Sequence, residues 1–188
     1  VTASSERLAL LPMSFTPMGF YYNRSLFEEA GVAPPSAGWT WDDFERKARA
    51  VAEATGARAA VDLRGAQLWR LMAWGEGSDI VTPGFERAVD DAALGRATAR
   101  LASWGDEPSA FRVFGAADQG VETGTSLFQS GSASMQGPVG RWMVPTYRRI
   151  TGFEWDWAPL PRSPREGAEP RNMLYIAAWC VAAGSEHP

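Results

Sequence analysis

Paired carboxylates are the first groups in this sequence that could do chemistry. Asp42 and Asp43 are adjacent, and Glu154 and Asp156 are two residues apart. A glycosidase needs two carboxyl groups about 5 to 9.5 Å apart, one of which protonates the leaving group. However, Asp42 and Asp43 follow Thr40 at the start of a helical pattern, where acids complement the helix dipole. The other pair alternates with tryptophans, as on an exposed edge strand, so we expect a protein that is not an enzyme.

The sequence has few residues for cysteine or histidine chemistry. Cys180 is the single cysteine and His187 the single histidine. One cysteine excludes an intramolecular disulfide and a cysteine-cluster metal site, and one histidine excludes a multi-histidine zinc site. Cys180 lies in an apolar run, where we expect a buried, inert thiol. We therefore expect no metal ion and no cofactor.

Groups suited to binding are more abundant. Aromatic residues make up 12% of the chain, including nine tryptophans. Sugar recognition uses flat aromatic faces against pyranose rings, with polar groups placed for the hydroxyls. Arg64, Gln67 and Trp69 stand where a short strand gives way to a helix, and ligands of α/β sheets bind beyond strand carboxyl ends. The Arg64 guanidinium could hold two hydroxyls or a carboxylate in a bidentate manner, although a solvated surface arginine is the alternative.

The final apolar strand carries another candidate. Tyr175 has an amphipathic ring, and Ala177 and Ala178 leave space beside it. Trp179 lies four residues further on, and therefore on the same strand face, but we expect it to pack in the core. Five other tryptophans are assigned to structure: Trp39, Trp41, Trp104, Trp155 and Trp157.

Short strands alternate with helices, which predicts an α/β fold. Helices are predicted over 24–30, 40–56, 67–74, 82–104, 120–130 and 141–150. Extended chain is predicted over 7–22, and strands are predicted over 59–63, 133–136, 155–160 and 172–183. A glycine turn is predicted over 137–140. Pro12 and Pro17 are expected to keep the middle of the first extended segment out of a central strand position.

Composition bounds the remaining possibilities. The chain has 188 residues, 45% hydrophobic and 21% charged, which is enough for one domain or two small lobes. Its net charge of −4 has the wrong sign for neutralising phosphates, so we expect no nucleic-acid partner. No window approaches the roughly 20 apolar residues of a membrane span.

Several motifs, in order, carry a family resemblance. They are LPMSFTPMGFYYNRSLFEEAGV over 11–32, Pro34-Pro35, the tryptophan-bearing helix start over 39–44, FQSGSASMQGPVG over 128–140, APLP over 158–161 and VAAGSEHP over 181–188. Together they resemble the central region of family-one extracellular solute-binding proteins, the maltose-binding-protein-like sugar receptors of ABC importers. The resemblance covers nearly the whole chain.

This resemblance implies an α/β periplasmic-binding-protein-like fold of type II, present as one lobe plus hinge-crossing strands. Family members are about twice as long, so residues 1–188 would form a partial solute-binding domain. That domain would be mostly the C-terminal lobe, with most of the N-terminal lobe absent. The hinge strands are expected near 8–16 and 173–183, and we expect the sequence to be a fragment.

The resemblance also completes the candidate site. Trp142 follows the glycine-rich stretch, where many family members place a ligand-stacking aromatic; the alternative is a core residue at a helix start. Ser14 and Thr16 occupy the hinge segment that faces the cleft, although an ordinary bend would use the same residues. The predicted ligand-binding set is Trp142, Thr16, Arg64, Gln67, Trp69, Tyr175 and Ser14.

The function implied is the substrate-binding component of an ABC transporter, which captures a sugar or similar solute by hinge closure and docks on a membrane permease. The resemblance implies a monomer when full length, in the periplasm or at the cell surface, and is compatible with a lipid anchor upstream. A protein-interaction or sensor module on the same fold is the alternative, and a glycoside hydrolase is a third class.

Overall fold

The computed structural model describes residues 11–64, 67–79, 81–82, 92–115, 118, 122–182 and 184. In this part of the chain, six strands form a sheet that has helices on both faces. The elements are β1 (Leu11–Asn23), α1 (Arg24–Glu29), α2 (Trp41–Thr55), β2 (Arg58–Asp62), α3 (Gln67–Gly75), α4 (Ala92–Gly105), β3 (Phe111–Phe114), α5 (Gly124–Gln129), β4 (Ala133–Gly140), a 3₁₀ turn (Arg141–Met143), α6 (Val144–Tyr147), β5 (Trp155–Pro159) and β6 (Leu174–Trp179).

The strand order is β3-β2-β4-β1-β5. Strand β2 is parallel to β3 and β4, whereas β1 is antiparallel to β4 and β5. Consequently β2, β3, β4 and β5 all run in one direction, and their carboxyl ends meet at one edge of the sheet. Strand β1 enters the sheet at this carboxyl edge, and β6 pairs only with its first half.

Alternation along β1 builds two cores. Phe20 and Tyr22 face α2, α3 and α4, while Tyr21 faces α5 and α6. In the first core, Phe20 lies 4.9 Å from Phe44 of α2, centroid to centroid. Each such buried ring contributes about 1.5–3 kcal/mol by leaving water, so this central strand fixes both helical layers.

Helix α2 shows how local sequence sets an element. Thr40 accepts a hydrogen bond from the Asp43 amide, and the Asp43 carboxylate accepts one from the Thr40 amide, which makes a capping box. Gly56 ends the helix in the left-handed region at φ 76°. Asp42 pairs with Arg100 at 2.6 Å. The capping role expected of Asp43 is confirmed, and Asp42 lies in the first turn of the helix as predicted.

The glycine turn predicted over 137–140 is wrong. Strand β4 continues to Gly140, through a cis Gly137-Pro138 peptide. The glycines serve close approach instead, because a Cβ on Gly137 would lie 2.7 Å from the Phe20 ring and 2.8 Å from the Gly19 carbonyl oxygen. The helix predicted over 141–150 is shorter, a 3₁₀ turn followed by α6.

Other differences concern the strands. Pro12 and Pro17 lie inside β1, but in the half that has β6 as its only neighbour, and the second half is central. Strand β3 was not anticipated, because four residues carry too little periodicity. The last strand spans 174–179 rather than 172–183. The predicted segments at 7–10, 83–91, 120–121 and 183 lie outside the described residues.

Two expectations of burial are wrong. Trp179 is 64% exposed, and Cys180 is exposed as well. Both lie at or just after the end of β6, which pairs with the first half of β1 beyond the main sheet. Among the described helices, none combines the length and the apolar character that crossing a bilayer requires.

Candidate functional site

The carboxyl edge of the sheet collects most of the predicted site residues. Trp142 follows the end of β4, and Arg64 and Gln67 follow the end of β2. Thr16 and Ser14 lie on β1 just before it enters the sheet, where Met18 pairs with Gly140. This is the edge at which open α/β sheets bind their ligands.

Trp142, Thr16 and Tyr175 form one cluster. The Trp142 indole is 47% exposed, and its centroid lies 5.3 Å from that of Tyr175 at an interplanar angle of 69°. Thr16 and Tyr175 are direct cross-strand neighbours in the β1–β6 pairing. The edge-to-face contact holds the indole while leaving part of it open to solvent. We refer to these three residues as the aromatic cluster.

Gly140 makes room for the indole, and reasoning from sequence missed it. A Cβ at this position would lie 2.5 Å from Cε3 of Trp142 and 2.6 Å from Cγ2 of Thr16. The backbone of Gly140 is extended (φ −91°, ψ 177°), so close approach rather than conformation requires glycine. The signal available in the sequence was a glycine two residues before the candidate tryptophan.

Arg64 is held beside the carboxyl end of β2 by an acid, Asp62, that reasoning from the sequence also missed. Its Nε donates to Oδ1 of Asp62 at 2.9 Å, and its backbone amide donates to the same oxygen at 2.9 Å. The side-chain hydrogen bond to Asp62 raises the pKa of the guanidinium above its usual value. The group also lies 5.8 Å from the centroid of Phe114. The Asp-x-Arg spacing at a strand end places both partners at this edge.

A second arginine lies on the same ring. Arg112 is 4.4 Å from the Phe114 centroid and donates to Asp118 and Glu122, both at 3.0 Å. Hydrogen bonds from the Gly115 amide and from Arg112 hold the pKa of Asp118 below its usual range. The guanidinium groups of Arg64 and Arg112 are thus both paired with carboxylates. The surface beside them therefore offers hydrogen-bond donors and acceptors.

The remaining predicted residues stand apart from the aromatic cluster. Gln67 is half-buried at the first position of α3. Trp69, also on α3, donates Nε1–H to Oγ1 of Thr98 on α4 at 2.8 Å, and so helps to join these helices. Ser14 is exposed, pairs with Ala177, and lines a groove of about 680 Å³ on the sheet.

The model of the bacterial extracellular solute-binding protein family matches residues 2–188. The chain belongs to this family. The match to this family model confirms the predicted family resemblance. No curated protein matches the chain at a significant level.

Solved structures agree on the fold of this family member. It is similar to the ABC substrate-binding protein Lmo0181 of Listeria monocytogenes, solved with cycloalternan (20% identity, TM-score 0.80, 95% of this chain and 44% of that one). It is also similar to the GacH receptor of Streptomyces glaucescens, solved unliganded and with acarbose (25% identity, TM-score 0.76, 95% and 45%).

A third structure, the cyclic alpha-maltosyl-1,6-maltose binding protein of Arthrobacter globiformis, matches with 23% identity and a TM-score of 0.67 over 90% of this chain and 42% of that one. The chain spans less than half the length of each of these structures. The predicted α/β periplasmic-binding-protein-like fold is confirmed, and the matched proteins are described as binding proteins.

Asn172, two residues before β6, is hydrogen-bonded to β1 at the point where β1 enters the sheet. Asn172 accepts a hydrogen bond from the Met18 amide at 2.9 Å and donates one to the Met18 carbonyl at 2.8 Å. The amide side chain thereby replaces a strand partner at this position. This family member thus has a defined junction between its main sheet and the β1–β6 ribbon.

The acids that were considered for hydrolysis make structural contacts. Glu154 pairs with Arg24 at 3.2 Å, and Asp156 accepts from the Trp157 amide at 2.7 Å. Within the residues that the structure describes, no group of three or more His, Cys, Asp or Glu side chains is arranged to hold a metal ion.

Proposed function

We propose that this chain is part of the substrate-binding component of an ABC transporter. It captures a carbohydrate or a similar polyhydroxylated solute at the carboxyl edge and delivers it to a membrane permease. The observation that carries the proposal is the aromatic cluster: a half-exposed indole at a strand end, backed by Gly140 and set edge-to-face against Tyr175. An open aromatic face at this edge suits the apolar face of a sugar ring.

Six of the seven predicted residues have a chemical role in this proposal. Trp142 stacks on a sugar ring, and the hydroxyls of Thr16, Tyr175 and Ser14 bond to the solute. The Arg64 guanidinium and Gln67 bind solute hydroxyls on the β2 side.

Asp62 joins this set as an acceptor, because carboxylates accept from sugar hydroxyls while remaining paired with arginine. Trp69 has the least support, since its only N–H donor is already used by Thr98.

The β1–β6 ribbon is the hinge in this proposal. Its two strands pair over Leu11–Pro17 and Leu174–Trp179, beyond the main sheet. Large side chains such as Phe15 and Ile176 are exposed there, at 67% and 59%. A second lobe that covered them would complete a cleft over the carboxyl edge. Binding would then favour the closed arrangement, because the solute contacts both lobes only in that state.

The matched structures support a sugar as the solute, since those of Lmo0181 and GacH are described with cycloalternan and acarbose. The Arthrobacter protein is named as a binding protein for cyclic alpha-maltosyl-1,6-maltose. The family description supports a location outside the cytoplasm. A monomeric full-length receptor and a lipid anchor upstream belong to the same proposal.

The test is solute binding by the complete gene product, measured by isothermal calorimetry after a thermal-shift screen of neutral oligosaccharides and polyols. Trp142→Ala should weaken binding by about 1–3 kcal/mol, the cost of losing one aromatic anchor. Trp142→Phe, which keeps an aromatic face, should retain most of the affinity. An unchanged affinity in Trp142→Ala would refute this location of the site.

Arg64 has a matched control. Arg58 begins β2 at the opposite end of the same strand and donates to the Pro108 carbonyl. Arg64→Ala should weaken solute binding, whereas Arg58→Ala should leave it unchanged. A receptor should leave the solute intact after prolonged incubation, whereas a hydrolase would cleave it. A thermal-shift screen in which no solute stabilises the protein would favour the protein-interaction module.

A further inference from the structure

A buried tyrosine is hydrogen-bonded to the backbone of the segment that carries Trp142. Tyr21, on β1, is fully buried and donates its hydroxyl to the Gly140 carbonyl at 3.3 Å. Gly140 is the last residue of β4, and Trp142 follows within the 3₁₀ turn. The hydroxyl therefore holds the peptide group from which the turn departs.

The Tyr21 ring cannot move easily. It lies 4.8 Å from the Tyr147 ring, edge to face, and 5.5 Å from the Trp155 ring. Tyr147 in turn donates to the Gln136 side chain at 2.7 Å and accepts from the Trp155 indole N–H through its carbonyl oxygen. This packed aromatic group gives Tyr21 a single orientation, with its hydroxyl on Gly140.

We propose that Tyr21 is a positioning residue for Trp142: the Tyr21 hydroxyl bond to the Gly140 carbonyl sets the direction of the turn and hence the angle of the indole at the carboxyl edge. This inference rests on the proposed function. Tyr21 is fully buried in the second core and so acts only through the backbone. Burial raises the pKa of Tyr21 to about 12, so its hydroxyl remains a donor throughout the neutral range.

The first test needs no solute. Labelling the complete gene product with 5-fluorotryptophan gives a fluorine signal for each tryptophan, including the nine of this chain, and the Trp142 signal is the one lost in Trp142→Phe. Tyr21→Phe keeps the ring packing and removes only the hydroxyl. We expect the Trp142 signal to shift and broaden, while the signal of Trp39 in the other core stays in place. An unmoved Trp142 signal would overturn the inference whatever the solute is.

Tyr147→Phe is the matched control, because it removes a buried hydroxyl from the same aromatic group without touching Gly140. Both variants should lower Tm to a similar extent, but only Tyr21→Phe should move the Trp142 signal. If Tyr147→Phe moves it equally, the effect is a general softening of the core and the inference fails.

The second test uses a double-mutant cycle on solute affinity in the complete gene product. Tyr21→Phe should raise Kd about three- to tenfold, as expected for the loss of one hydrogen bond that orders the site. In a Trp142→Ala background the same change should alter Kd less than about twofold, because the residue it positions is gone. Equal effects in both backgrounds would overturn the inference. A Trp142→Ala variant with unchanged affinity would instead refute the proposed site, and the fluorine signals would still decide the role of Tyr21.

Discussion

Replacing Gly140 by alanine tests the link between a strand end and the solute. The new Cβ would lie 2.5 Å from Cε3 of Trp142 and 2.6 Å from Cγ2 of Thr16. Non-bonded carbon atoms prefer about 3.5–4.0 Å, so the indole must move by about 1 Å or more. The extended backbone of Gly140 accepts alanine, which means that the perturbation acts through the side chains alone.

The cost to stability should be small. Overpacking a rigid core costs about 1–3 kcal/mol, but the half-exposed indole of Trp142 can swing outward. Alanine also reduces the entropy of the unfolded chain relative to glycine, which stabilises the protein by about 0.4–1 kcal/mol. We therefore expect a net loss of about 1 kcal/mol in the free energy of unfolding.

The cost to binding should be larger, because a displaced indole no longer meets the sugar face. We expect a loss of about 1–2 kcal/mol, or a rise in Kd of about 5- to 30-fold. Calorimetry on the complete gene product measures Kd, and urea unfolding measures stability. Gly152→Ala is the control, since a Cβ there would meet nothing within 4 Å. A Gly140→Ala variant that binds as tightly as the parent would refute our account of this edge.

Two further predictions concern stability. Gly95→Ala should raise the free energy of unfolding by about 0.5–1 kcal/mol, because Gly95 lies inside α4 with open space at its Cβ position; a lower value in urea unfolding would show that the space is filled. Asp43→Asn should flatten the acid side of the Tm–pH profile. Hydrogen bonds from Thr40 hold the pKa of Asp43 below its usual value in the folded protein. The stability that the Asp43 carboxylate contributes is therefore fully present above the pKa of the unfolded state and is lost as pH falls through the pKa of the folded state. A profile as steep as that of the parent would assign the acid sensitivity to other carboxylates.

Local signals in the sequence predicted several elements correctly. The capping pair Thr40 and Asp43, with Gly56 as terminator, fixed α2 because every interaction involved lies within a few residues. Gly31 likewise follows α1 in the left-handed region, at φ 64°. The ordered motifs were enough to indicate the family, since their residue types and spacing can be recognised without knowing the fold.

Non-local contacts account for what was missed. Whether 137–140 turns or continues as a strand depends on β1 and β2 lying on either side of it, and only that pairing explains why Gly137 is needed. The exposure of Trp179 depends equally on what β6 does and does not pack against. Neither fact is encoded within a short window of sequence.

The candidate site divides in the same way. The residue types favoured a binding protein, because composition excluded an intramolecular disulfide, a metal cluster of cysteines or histidines and a basic nucleic-acid surface. The aromatic contact at Trp142 was implied by the family resemblance. Only the tertiary structure showed that Tyr175 stands edge-on to this indole, that Asp62 holds Arg64, and that Tyr21 lies beneath Gly140. Residue types determine which interactions are available, whereas strand register and packing determine which of them form, since those partners are brought together from distant parts of the chain.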